Sequence, residues 1–155
     1  MNANANWLGA FRIYIATTVT AHLIWEVAQL PLYTIWSTGT PREIIFAVVH
    51  CAGGDLLIST LSLVAALLVF GDRVWPIKRF IPVLVATIIV GLGYTVYSEW
   101  MNAVVRKTWA YSNLMPKLPL FGTGLSPLLQ WIIIPSLGFT VISHLSLRPR
   151  PNNLA

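Results

Sequence analysis

His22, Glu26, Gln29 and Tyr33 follow one another at i, i+4, i+7 and i+11 inside one apolar run. On a helix that spacing puts all four on one face. A second apolar run carries His50 and Asp55, and a third ends on Tyr94, Tyr97, Ser98, Glu99 and Asn102. A fourth opens with Ser126, Pro127, Gln130 and Trp131. An ionised group in hydrocarbon costs about 2.5 kcal/mol or more, so acids and imidazoles in such runs are functional candidates by default. His22, Glu26, His50, Asp55 and Glu99 are the candidate catalytic residues. Carboxyl and imidazole groups in a dry pocket can carry acid–base chemistry, such as isomerisation or hydration of an isoprenoid double bond. Gln29, Tyr94, Gln130 and Trp131 are the candidate ligand-binding residues, with Trp25 as further lining. The plainer alternative is that Glu26 pairs with His50, or His22 with Asp55, only to fix helix register.

Helical phase sharpens these choices. His50 and Asp55 lie about 140° apart around their helix, so they address different neighbours. Asp55, Ser59 and Ser62 share one face; His50, Gly54 and Leu57 share another. Gly53 and Gly54 permit a close helix crossing or the close approach of a ligand. Thr95, Glu99, Asn102 and Arg106 share a face if their helix continues, which allows a local Glu99–Arg106 pair.

Two other classes of function compete with a membrane enzyme or binder. Two histidines with Glu26, Asp55 and Glu99 would supply mixed nitrogen and oxygen ligands to a metal, and His22 with His50 would flank a haem. No HxxxH or HExxH spacing occurs, so metal ligands and cofactor stay unassigned. His22 and His50 also differ in depth by about 6 Å. The third class is a transport or accessory subunit, acting as a homo-oligomer or with a partner in a larger membrane complex.

The elements that must position these groups are membrane helices. The 155-residue chain is 56% hydrophobic and 10% charged, where soluble domains carry about 25% charged residues. Its net charge of +5 comes mostly from residues at the ends of apolar runs, where they meet headgroups, so nucleic acid is not an expected partner. The single Cys51 excludes an intrachain disulfide. Four runs, at 11–36, 44–70, 80–101 and 126–147, approach or exceed the roughly 20 residues that a bilayer crossing needs. The first has no basic segment before it and carries His22 and Glu26, so it reads as a retained helix, not a cleaved signal.

The expected architecture is therefore all-α: a four-transmembrane-helix bundle forming one domain over residues 1–147, with a disordered tail at 148–155. Thr40, Pro41 and Glu43 form a cap signature for the second helix. The third connection, 102–125, exceeds the usual 2–8 residues, is rich in aromatic and turn-forming residues, and is expected to fold back over the bundle. Arg12, Arg73, Lys78, Arg79, Arg148 and Arg150 fall on the side of the termini; Arg42, Arg106, Lys107 and Lys117 fall on the other. Six against four places both termini in the cytoplasm and the long connection outside. The polar residues then converge in the outer half, beneath that connection. Glu26 and His50 lie about 10 Å below the outer boundary, His22 and Asp55 about 16–18 Å below it. The inner half, with Leu61, Leu63, Val64, Leu67 and Leu68, reads as packing. Trp7, Trp36, Trp75, Trp100 and Trp109 read as interfacial belt residues and His144 as an interfacial one. Pro31, Pro127 and Pro135 read as helix kinks.

Ser98-Glu99-Trp100-Met101-Asn102, Trp109-Ala110-Tyr111-Ser112, Met115-Pro116 and the segment from Gly122-Thr123-Gly124 to Gln130-Trp131 resemble a family of small, uncharacterised bacterial four-helix integral membrane proteins. The resemblance covers most of the chain and implies a bacterial inner-membrane location. A second likeness is architectural. His22 and Glu26 match the His-x-x-x-Glu pair on the first helix of EXPERA, or sterol-isomerase-like, domains, with Asp55 and Glu99 at the places of further acids. That resemblance implies a lipid-binding cavity; the family's longer acid- and Asn-bearing motifs are not matched.

Overall fold

The computed structural model describes residues 6–119 and 122–146. All regular structure among them is helical. Helix α1 spans Trp7–Gln29 and is capped by the Asn6 side chain, which accepts from the Gly9 N–H at 2.8 Å. A 3-10 turn at Leu30–Leu32 and the short α2, Ile35–Thr38, lead into α3, Pro41–Phe70. The expected cap is present: Glu43 N–H donates to the Thr40 hydroxyl, and the Thr40 N–H donates back to the Glu43 carboxylate at 2.8 Å. Helix α4 spans Phe80–Glu99 and runs on as π-helical turns over Trp100–Val105; α5 is Leu125–Ser146, with Pro135 inside it.

The first apolar run is not one helix. Pro31 has no N–H to donate and crowds the preceding turn, so α1 ends at Gln29 and Tyr33 is extended. Tyr33 is thereby taken off the helical face predicted for it. The third connection is shorter than expected, because the π-helical turns carry the chain to Val105. It does fold back. Tyr33 and Tyr111 form an isolated antiparallel bridge. Thr34 N–H donates to Ala110 O at 3.0 Å and Ser112 N–H to Leu32 O at 2.9 Å. The expected disorder of 148–155, and Leu147, Arg148 and Arg150, lie outside the described residues.

Helix α1 packs on α3 and α5, and α4 packs on the same two, so α1 and α4 are diagonal partners. The helices alternate in direction, which brings the start of α1, the end of α3, the start of α4 and the end of α5 together at the end closed by the 71–79 turn. The apolar core sits there: Ala10, Tyr14, Leu63, Ala66, Trp75, Val83, Phe139 and Ile142. Phe139 takes Tyr14, Trp75 and Phe80 edge-on at centroid distances of 5.6, 6.2 and 5.3 Å. Trp75 is thus a core residue and not a belt residue; the turn folds its indole inward over the end of the bundle. Trp7, Trp36 and Trp100 are exposed.

Three helices, Pro41–Phe70, Phe80–Val105 and Leu125–Leu145, are long and apolar enough to cross a membrane. Large apolar side chains face outward, as at Leu68, 83% exposed, and at Leu61, Ile81, Val85 and Ile89. Of the apolar residues read as inner-half packing, Leu63 is buried, Leu67 packs against the core, and Leu61, Val64 and Leu68 face out. Small and polar residues face inward. The buried stripe of α1 is Ala10, Tyr14, Thr18, His22, Glu26 and Gln29; that of α4 is Val83, Thr87, Gly91, Thr95 and Glu99. Such inversion suits a hydrocarbon surround, where close backbone approach and internal hydrogen bonds hold helices together.

Candidate functional site

The site is built around the side-chain amide of Gln130. One turn into α5, Gln130 enters the bundle, almost fully buried. Its nitrogen lies 2.8 Å from His22 Nδ1, 3.2 Å from Glu26 Oε1 and 2.8 Å from Asp55 Oδ2. Helices α1, α3 and α5 each contribute to this contact. His22 and Glu26 reach it because a four-residue step keeps both on the buried stripe of α1. Asp55 reaches it from α3.

Hydrogen counting constrains the cluster. An amide –NH2 has two hydrogens and no acceptor on nitrogen, and three acceptors surround it. When Gln130 donates to His22 Nδ1, the imidazole proton sits on Nε2, which is buried with no hydrogen-bond partner among the described residues. His22 Nδ1 also lies 3.4 Å from Asp55 Oδ2, a contact that becomes an ion pair when the imidazole takes up a proton. Nδ1 then donates to Asp55, and the Gln130 hydrogens go to the two carboxyl groups. The arrangement therefore has two hydrogen-bond states, separated by one proton.

A second layer holds the first. Gln29 Nε2 donates to Glu26 Oε1 at 2.7 Å, Ser126 Oγ donates to Gln29 Oε1 at 2.8 Å, and the Trp25 indole N–H donates to Ser126 Oγ at 3.2 Å. Trp131 packs on the His22 ring at a centroid distance of 5.2 Å. Room for it comes from Gly91 on α4, where a Cβ would stand 2.3 Å from the indole.

Glu99 closes the connection end. It is buried, and the Tyr111 hydroxyl, carried on the 106–124 connection, donates to its Oε2. Arg106 is exposed and is not the partner expected for Glu99. Burial first, and then the Glu99 carboxylate, push the Tyr111 phenol above its ordinary value. The Tyr33 ring packs against the Tyr111 ring at a tilt, with centroids 5.5 Å apart.

Comparison with protein families, with curated proteins and with solved structures finds no match. The structure brings together His22, Glu26, Asp55, Gln29, Gln130 and Trp131, with Glu99 nearby. It does not bring in His50 or Tyr94. His50 is exposed on the outside of α3, stacked on Phe46 one turn away, because α3 turns Asp55 to the centre and the two are about 140° apart. The Glu26–His50 pairing does not form, and His50 cannot share a haem with the buried His22. Tyr94 is half exposed on α4, off the buried stripe. Among the described residues no three His, Cys, Asp or Glu side chains are arranged to hold a metal ion. Sequence reasoning gave no role to Tyr111 or Cys51. Tyr111 lay in a connection whose path no periodicity reveals. Cys51 was weighed only as a disulfide partner, although it stands one turn before Asp55.

Proposed function

We propose that this chain is a four-span membrane protein of the bacterial inner membrane whose buried carboxyl–imidazole cluster binds, and performs acid–base chemistry on, a hydrophobic small molecule of the isoprenoid or lipid class. The observation that carries the reading is the convergence of His22, Glu26 and Asp55 on one amide nitrogen inside a lipid-type bundle. Two hydrogen-bond states one proton apart are what a general acid–base needs. The fourth crossing is α1: at 23 residues it is about 34 Å long, and it packs between α3 and α5. Arg12 and its polar stripe lower its hydropathy, and that stripe faces inward. Lys/Arg placement supports cytoplasmic termini, and so puts the cluster in the outer half, beneath the 106–124 connection. The His22–Glu26 spacing shared with EXPERA domains supports a lipid-class ligand.

The test is native mass spectrometry of the protein released from its own membrane in mild detergent. A stoichiometric isoprenoid or lipid adduct, lost in Glu26→Ala, is the expected result. Retention of ligand and phenotype in both Glu26→Ala and Asp55→Ala, with only a lower melting temperature, would overturn the reading. The second layer of bonds favours one other reading, a cluster that fixes helix register within an accessory subunit. It is selected instead if the protein emerges without ligand and attached to another polypeptide.

A further inference from the structure

We infer that Glu99 and Tyr111 form the proton port of the buried cluster, so that its acids exchange protons with water on the 106–124 side of the bundle and not on the opposite side. The inference rests on the acid–base reading above and adds a route and a sidedness to it.

The opposite end is packed with apolar side chains. Leu63, Val83, Phe139 and Ile142 are fully buried there, with the Tyr14, Trp75 and Phe80 rings around Phe139. Between this plug and the cluster, the buried hydroxyls mostly point back to their own helices. Thr18 donates to Tyr14 O at 2.9 Å and Thr87 to Val83 O at 2.8 Å. Ser59 donates to Tyr14 OH at 3.1 Å, and beyond Tyr14 the one other polar group of the described core cluster is the Trp75 indole N–H, a donor with no acceptor capacity and no partner among the described residues. A proton chain entering from that end would have to cross the apolar core.

The connection end is different. Glu99 is buried, but its carboxylate is bonded to a half-buried phenol carried by the surface connection. Lys117, exposed on the same connection, stands over the Tyr111 ring at 5.6 Å. Inward of Glu99, which ends the buried stripe of α4, the buried stripe of α1 brings Glu26 to the same end of the bundle, bonded there by Gln29 and Gln130. In the step itself, the Tyr111 oxygen takes a proton from outer water as its own proton passes to the Glu99 carboxylate. Tyr111 is left neutral, and Glu99 passes the proton to the acids around Gln130. Each uptake adds one positive charge to the cluster, and release runs in reverse. No oxidant or reductant enters.

The connection is held in place independently of Glu99. Its backbone is bonded to Leu32 and Thr34, and Ser112 Oγ donates to Pro31 O at 2.9 Å. This allows the port to be tested apart from the strap that carries it.

The experiment is a rapid pH jump on the full chain in nanodiscs, following the carboxylic-acid carbonyl band by infrared, with Glu26→Gln identifying the cluster's signal. Tyr111→Phe keeps the ring and removes the proton-carrying oxygen. The expected result is exchange slowed on the order of 10²-fold with unchanged final amplitude, while Ser112→Ala exchanges at the wild-type rate or faster. In liposomes selected for one orientation by an N-terminal tag, the band should follow the pH of the 106–124 side alone. Wild-type exchange in Tyr111→Phe, equal slowing in Ser112→Ala, or a response to the opposite side would each overturn the port and leave the acid–base reading standing. A cluster with no titrating carboxyl band at all would overturn both.

Discussion

Replacing Gln130 with leucine separates a polar cluster that is merely present from one held together by a single amide. Leucine is close to glutamine in size, so the change leaves little cavity and its cost is mainly in hydrogen bonds. Two amide hydrogens serve acceptors at 2.8, 3.2 and 2.8 Å. A buried acceptor left without its donor costs about 1–3 kcal/mol, so two lost bonds cost about 2–6 kcal/mol. Glu26 keeps its bond from Gln29 at 2.7 Å, so most of the loss falls on Asp55 and His22. Against a typical margin of about 5–15 kcal/mol the effect is large. Reversible unfolding in mixed micelles, read by tryptophan fluorescence, measures it. Adding Asp55→Asn removes one bare carboxylate and supplies a new amide donor, so the double variant should recover about 1–3 kcal/mol. The reasoning is refuted if Gln130→Leu stays within about 0.5 kcal/mol of wild type, or if the two substitutions are simply additive.

Gly91→Ala places a methyl 2.3 Å from the Trp131 ring and should cost about 1–3 kcal/mol by overpacking, with a shift in tryptophan emission; a neutral result would mean that α4 and α5 are less closely apposed. His50→Leu, on the outward face, should change stability by less than about 0.5 kcal/mol and leave any bound lipid in native mass spectra; a loss matching that of Gln130→Leu would put His50 inside. The Tyr111 phenol should still be protonated at about pH 10, where a free tyrosine is half ionised. Because its folded value is raised, its stabilising contribution is complete below the unfolded value and is lost as pH climbs above it. A wild-type minus Tyr111→Phe ultraviolet spectrum that shows phenolate at that pH would contradict this.

Breaks and caps were legible because their signals are local: Thr40, Pro41 and Glu43 need no knowledge of the rest of the chain. His22, Glu26, Asp55 and Gln130 were legible as costly groups in hydrocarbon. Which face of α3 turns inward was not. With apolar residues on both sides of that helix, periodicity ranks His50 and Asp55 equally, and only packing chooses Asp55. In lipid the usual guide is reversed, since leucines such as Leu68 face out and serines such as Ser59 face in. Trp75 misled for a related reason: an indole at a predicted boundary can rest in headgroups or fold inward, and the turn around it decides. The end of α1 was readable from Pro31 but was outweighed by the length of the apolar run.

The buried stripe of α4 recurs every fourth residue from Val83 to Glu99. Four residues turn a helix by about 400°, so the stripe drifts by about 40° per repeat and winds about 160° from end to end. It is a screw thread and not a rail. If α4 moves along its axis by one repeat, about 6 Å, its small residues meet their old neighbours again only if it also turns by about 40°. A straight slide would jam, so piston motion in this bundle must come with rotation, and a probe of either movement on α4 would report the other.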